Sequence, residues 1–226
     1  MVFYSALGYS RCKFLFRHGF MNQPQAAAPG KQELKSERAR DIICKATVKC
    51  LAELGYGDTS INRVVAQAGV SKGALQHHFP SKEELMASTA SYLLQKPLRF
   101  VNRARDGHAL RDEFLSIWHS LTNTKAYLAL LEILVAARTD RVLHKRIAAN
   151  LKTSISDIDD HFVNLYGNLE AADERELRLL MCANRCLMRG LLIEAQYGLA
   201  REDQLAVLDC WLDLVVPRFA GLDSRS

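Results

Sequence analysis

From Ser36 onward the apolar residues of this chain return at steps of three and four, and no segment alternates apolar and polar residues between turn signals. That rhythm belongs to helices with one buried face, not to half-buried strands. The chain is therefore expected to be all-α. Ala39, Ile42, Ile43, Ala46, Cys50, Leu51 and Leu54 form the first stripe, and Gly55 and Gly57 stop it. Thr59 and Ser60 supply cap oxygens for a second helix, with Ile61, Val64, Val65 and Ala68 on its inner face. Gly69 breaks that helix. Ser71 caps a short third helix containing Ala74 and Leu75, which Phe79-Pro80 ends. Ser81 caps a fourth, with Glu84 at capping-box spacing, and Pro97 interrupts or ends it.

The helical period continues to the last residues. Leu110, Phe114, Ile117, Trp118 and Leu121 form one stripe. Residues 126–137, AYLALLEILVAA, are apolar nearly all round and predict a central buried helix. Leu151, Ile155, Ile158, Phe162 and Leu165 line a long helix that begins near Thr139-Asp140, with Asp157, Asp159 and Asp160 on a solvated face. Leu177, Met181, Asn184, Met188, Leu191 and Ala195 make a seam, as do Leu205, Leu208, Leu212, Val215 and Phe219. Widened by neighbours such as Leu180, Leu187 and Trp211, these faces suit the chain's own core, a second subunit, or both. A homodimer through these last two helices is the expectation. Residues 1–33, with Pro24, Pro29 and Gly30, read as a flexible leader. Within it, residues 1–20 are either an extension upstream of a start at Met21 or a short accessory helix.

Apolar residues at 49% and charged residues at 24% exclude a disordered chain. No run of 18 apolar residues occurs, and the first twenty residues lack the unbroken apolar stretch of a signal peptide, so a cytoplasmic protein is expected. The six cysteines show neither Cys-x-x-Cys nor zinc spacing and read as buried reduced thiols; Cys182 and Cys186, four apart, leave a thiol sensor as the alternative. Charge is uneven. Residues 1–100 hold 14 Lys and Arg against 7 Asp and Glu, whereas residues 101–226 hold 16 against 18. A basic N-terminal part suits a polyanion partner.

Residues 59–85, TSINRVVAQAGVSKGALQHHFPSKEEL, read as helix-turn-helix. Ala66 and Ala68 are small enough for two helices to cross closely, Gly69 makes the turn and Val70 plugs the angle. The third helix then offers Ser71, Lys72, Gly73, Gln76 and His77 outward, donors that suit a major groove. Lys72 and Lys82 are the phosphate candidates. Thr59 and Ser60 cap a helix whose N-terminus can also take a phosphate, and Arg63 lies on that helix's outer face. His78 reads as structural.

This stretch resembles the TetR family of one-component transcriptional regulators, from about Glu37 to Leu94. The resemblance runs through the entry ARDIICKATVKCLAELGYGDTSI, the core INRVVAQAGVSKGAL and the exit HHFPSKEEL. It implies an N-terminal three-helix, homeodomain-like DNA-binding domain, here residues 34–80. A larger helical ligand-binding and dimerisation domain, residues 81–226, would follow. It implies a homodimer that represses transcription at a near-palindromic operator and leaves DNA when a small molecule binds. The family usually has Tyr where this chain has Gln76, which can instead pair with adenine.

For an effector, the candidates are Trp118, Tyr127, Met181, Cys182, Arg185 and Met188, with His119, Asn184 and Arg189 nearby. Their mixture of aromatic, soft and polar groups suits a pocket between helices and a mainly apolar or aromatic ligand. No catalytic residue, metal ligand or cofactor is expected, because the chain shows no Ser-His-Asp set, nucleotide loop or metal spacing. The competing reading is a helical interaction or sensor protein that has lost DNA binding.

Overall fold

A computed structural model describes residues 31–94, 107–165 and 171–223, and no strand occurs among them. The leader up to residue 30, and Pro97, lie outside the described residues. Helix α1 (Lys31–Asp58) begins inside the expected leader and runs to the expected glycines. It is kinked at Gly55, whose φ of 73° and ψ of 175° interrupt the helix. Helices α2 (Ile61–Ala68), α3 (Lys72–His78) and α4 (Lys82–Leu94) follow at short intervals. After residue 107 come α5 (Gly107–Ile117), a π turn (Trp118–Thr122), α6 (Lys125–Ala137) and α7 (Arg141–Leu165). Helix α8 (Ala171–Glu194), a 3-10 turn (Ala195–Tyr197) and α9 (Arg201–Asp223) complete the order.

Residues Arg38–Ser226 form a compact unit, within which three apolar clusters are packed. The first is built by Ile43, Cys44, Ala46 and Cys50 of α1, Val64 of α2, Leu75 of α3, Phe79 and Leu85. The second joins Leu51 to Met86, Ala90 and Leu93 of α4, Ala129, Leu130, Ile133 and Ala137 of α6, and Leu143 and Ile147 of α7. The third unites α5, the π turn, α7, α8 and α9 around Phe114, Trp118, Phe162, Met181 and Leu212. The α4 helix thus serves two cores. Leu85 faces the first, and Met86, Ala90 and Leu93 face the second. Glu84 pairs with Arg146, and Asn150 Nδ2 donates to Ser91 Oγ at 2.9 Å, fastening α4 to α7.

Several local readings change in three dimensions. Ser81 Oγ accepts from Glu84 N at 3.1 Å, but the Glu84 carboxylate is taken by Arg146, so the salt bridge fixes it instead of a return bond to Ser81. Of the two small residues expected at the helix crossing, Ala68 packs on the core while Ala66 faces solvent. Asp159 is not on a solvated face. It is buried, and both its oxygens meet the Arg185 guanidinium. Asp160 accepts from Arg178 at 2.6 Å, and only Asp157 of the three acids is exposed. The described cysteines are all free, and they divide. Cys44 and Cys50 are buried thiols, pushed up from their ordinary pKa by burial, whereas Cys182, Cys186 and Cys210 are exposed.

Phe79 is fully buried, and the Arg40 guanidinium lies 4.6 Å from its ring centre. The same guanidinium donates to His78 O at 3.2 Å and Ser88 Oγ at 3.4 Å, so α1, the end of α3 and α4 meet at one side chain. Phe79→Ala should lower stability by about 3–5 kcal/mol, a loss set by transfer and cavity terms together. Urea denaturation followed by circular dichroism measures it, and a change below about 1 kcal/mol would contradict this packing.

Candidate nucleic-acid interface and effector cavity

The α2–α3 unit is built by its caps. Ser60 Oγ accepts from Arg63 N at 3.3 Å and begins α2. Gly69, at φ 65°, ends it in the left-handed conformation that L side chains adopt only at a cost. Val70 packs half-buried on the first core, and Ser71 Oγ accepts from Ala74 N at 3.1 Å to begin α3. Leu75 is the buried anchor of α3. With that anchor inside, Ser71, Lys72, Gly73, Gln76 and His77 are all exposed, and Arg63 is exposed on α2. Lys72, Gln76 and the adjacent residues repeat at helical steps, so they share one outward surface.

Two expected contact residues are not on that surface. Thr59 is fully buried, and its hydroxyl donates to Gly55 O at 2.7 Å. Lys82 Nζ donates to Tyr56 O at 2.9 Å and stands 4.3 Å from the Tyr56 ring centre. Burial lowers the Lys82 pKa from its ordinary value, opposed by Glu83, Asp140 and Asp58. Its ammonium therefore braces the end of α1. His78 is half-buried and held below its ordinary pKa by burial first, then by His77 and Arg40.

The end of α1 is also tied to α6. Tyr56 N donates to Glu132 Oε2 at 2.9 Å, and Tyr56 Oη donates to Asp140 Oδ2 at 3.5 Å. A Cβ on Gly55 would come within 3.2 Å of Glu132 Oε2, so this close approach and the positive φ both call for glycine. Five residues before Glu132 on the same helix, Tyr127 lines a cavity.

That cavity has a volume of about 290 Å³ and lies between α4, α5, α6, α7 and α8. Leu93, Phe114, Ile117, Leu121, Leu130, Ile155, Ile158, Phe162 and Met181 give it an apolar wall. Tyr127, Asn184, Arg185, Met188 and Arg189 supply most of the remaining character. Four of the six expected effector residues, Tyr127, Met181, Arg185 and Met188, are brought together here. Trp118 is not among the lining residues; it begins the π turn and is buried in the third core. Cys182 faces solvent on α8. Asn184, itself buried, accepts from Trp211 Nε1 at 3.1 Å and lies 3.7 Å from Met188 Sδ, so α9 braces the wall. The aliphatic lining escaped sequence reasoning because it has the same period as ordinary core.

The seam residues of the last two helices fall inside the chain. Leu177, Met181, Asn184, Met188 and Leu191 are buried, as are Leu208, Leu212 and Val215. Phe219 is in α9, but its side chain lies outside the described residues. The exposed apolar stripes are their neighbours: Leu179, Cys182, Cys186 and Ile193 on α8, and Val207, Cys210 and Leu214 on α9.

The structure thus combines a helix-turn-helix unit, with an outward polar face on α3, and a helical bundle around an apolar cavity. The family model for bacterial regulatory proteins of the tetR family matches residues 43–89. An HTH-type transcriptional regulator of Mycobacterium tuberculosis is 31% identical over 120 residues, which is 51% of this chain and 62% of that protein's length. The HTH-type transcriptional regulator CymR of Pseudomonas putida is 27% identical over 201 residues, covering 84% of this chain and 97% of CymR. Among solved structures, a transcriptional regulator from Rhodococcus sp. Rha1 shares the fold with a TM-score of 0.64 at 21% identity, over 79% of this chain and 96% of that one. Over residues 43–89 the chain is thus similar to the bacterial regulatory proteins of the tetR family.

Tyr56 at the α1–α6 joint carries a pH signature. Its pKa is raised from 10 to about 12 by burial first, then by Asp140 and Glu83. A raised folded-state value stabilises the fold fully below the unfolded value of 10 and is lost as pH rises through 10 towards about 12. Tyr56→Phe should therefore lose less stability across that interval than the parent. Urea midpoints at pH 9, about 10.5 and about 12 measure it; identical alkaline slopes would show that Tyr56 is ordinary.

Proposed function

We propose that this protein is a transcriptional repressor that binds a near-palindromic operator as a homodimer and is released by a small effector. Residues 34–80 would be the DNA-binding module and residues 81–226 the effector-binding and dimerisation module, working in the cytoplasm where the DNA is. The observation that carries the reading is the outward surface of α3, with Leu75 buried behind Lys72, Gly73, Gln76 and His77. In this reading Lys72, Ser71 and Arg63 contact phosphate, Ser60 and Gly73 allow close backbone approach, and Gln76 and His77 meet base edges. Thr59 and Lys82 act behind the interface by fixing the end of α1.

The effector reading is supported by α4, which has Leu85 in the helix-turn-helix core and Leu93 and Leu94 at the cavity wall. Thirteen residues of helix span about 20 Å, so a small tilt at the cavity end displaces the other. A tenfold loss of DNA affinity requires a difference in effector affinity between the two arrangements of only ~1.4 kcal/mol. The dimer is assigned to the exposed stripes of α8 and α9, not to the internal seams.

A mobility-shift titration with the promoter fragment of the protein's own gene tests DNA binding. Lys72→Ala should weaken the shift and reduce the slope of log affinity on log salt by about one. Gln76→Ala should alter base preference more than that slope. A parent protein that shifts no promoter DNA, or an unchanged slope in the lysine variant, contradicts the reading. For assembly, sedimentation at micromolar concentration should give a dimer, and Leu179→Asp with Leu214→Asp should give a folded monomer. Leu208→Asp, buried in the chain's own core, should unfold the protein instead. A parent that sediments only as monomer would exclude the proposed dimer.

A further inference from the structure

The two arginines of α8 at the cavity differ in what neutralises them. Arg185 has both oxygens of Asp159 on its guanidinium, and the pair is largely withdrawn from solvent. Arg189, one turn on, also borders the cavity. Its Nε donates to Tyr127 Oη at 3.0 Å, and among the described residues no carboxylate stands within ion-pair distance of it. Among the described residues no Asp or Glu borders the cavity, and most of the wall they form is hydrocarbon. A cation at the edge of an apolar space is poorly solvated by that wall and favours an anion beside it. The terminal nitrogens of guanidinium offer paired donors that match a carboxylate. The Tyr127 hydroxyl accepts from Arg189, which leaves its own proton to donate to the same anion.

Resting on the reading of this cavity as the effector site, we propose that the effector is a small apolar carboxylic acid bound as its anion. Arg189 and Tyr127 hold the carboxylate, and the hydrocarbon lies against Phe114, Phe162 and Met181. The volume of about 290 Å³ is nearly twice that of an engineered cavity of about 150 Å³ that admits benzene, so the hydrocarbon is of one- or two-ring size. Arg185 has a different part. With Asp159 it ties α7 to α8 and carries no net charge to the ligand.

The test is calorimetric titration of the full chain with matched acid and amide pairs, 2-naphthoate with 2-naphthamide and 3-phenylpropanoate with its amide. At least one acid should bind about tenfold or more tightly than its amide, the scale of a charge-assisted pair. Arg189→Gln should remove that preference by weakening the acid far more than the amide, whose carbonyl loses only a neutral hydrogen bond. Arg189→Lys should keep part of it. Circular dichroism checks the folding of each variant; if Arg189→Gln does not fold, the parent's acid-to-amide ratio and Arg189→Lys decide the matter. Equal binding of both members of each pair, no binding of any of the four up to millimolar concentration, or an intact preference in folded Arg189→Gln overturns the proposal. The promoter mobility shift is scored separately and without ligand. A protein that shifts DNA but does not prefer acids keeps the repressor reading and loses this one. A protein that prefers acids but shifts no DNA does the reverse.

Discussion

Helix α4 buries consecutive residues in different cores, and the rest of the described structure depends on that division. Leu85 completes the cluster around Phe79 that holds α2 and α3, while Met86, Ala90 and Leu93 belong to the cluster shared with α6 and α7. A close-packed interior does not let one end of such a helix move independently of the other. The Glu84–Arg146 pair and the Asn150–Ser91 hydrogen bond fix α4 laterally on α7. The α1–α6 joint at Tyr56, Glu132 and Lys82 adds a second connection between the recognition unit and the cavity wall. Two mechanical routes therefore lead from one cavity to one outward-facing helix.

The cavity illustrates how neighbouring residues of one type acquire different roles. Arg185 and Arg189 lie one turn apart on α8, and both border the same space. Asp159 projects from α7 to meet the first, while the second, among the described residues, meets a phenol hydroxyl. Burying an ion pair without its partner is far more costly than burying the pair, so Asp159 and Arg185 act as one structural unit. The chemical character of the cavity is then decided by the arginine that has no such partner among the described residues.

The helical class, the caps at Ser60, Ser71 and Ser81, the turn at Gly69 and the outward set on α3 were legible from residue order alone. Each depends on interactions within three or four residues, and spacing encodes such interactions directly. Thr59 reads in the sequence as a cap that could also meet phosphate, because a hydroxyl at a helix entry has two possible partners. Its bond to Gly55 O follows from the kink in α1, which is not a property of the cap. Lys82 reads as a phosphate candidate, and its bond to Tyr56 O, between residues 26 apart, is invisible to local spacing.

Sequence by itself determined that the described residues form helices, where those capped by Ser60, Ser71 and Ser81 begin, and which face of α3 is polar. Tertiary structure alone decided which helical stripes are shared between cores, which line a cavity and which remain outside. The seams on α8 and α9 read equally well as core or interface, and packing made Leu208 and Leu212 internal while leaving Leu179 and Leu214 exposed. Packing placed Trp118 in the third core and not at the cavity wall, and the approach of α7 to α8 turned Asp159 from an expected surface acid into a buried partner. Helical periodicity states only that a residue has a buried or an exposed side. What stands opposite that side is set by the positions of other helices, distant in the chain, and local spacing carries no record of them.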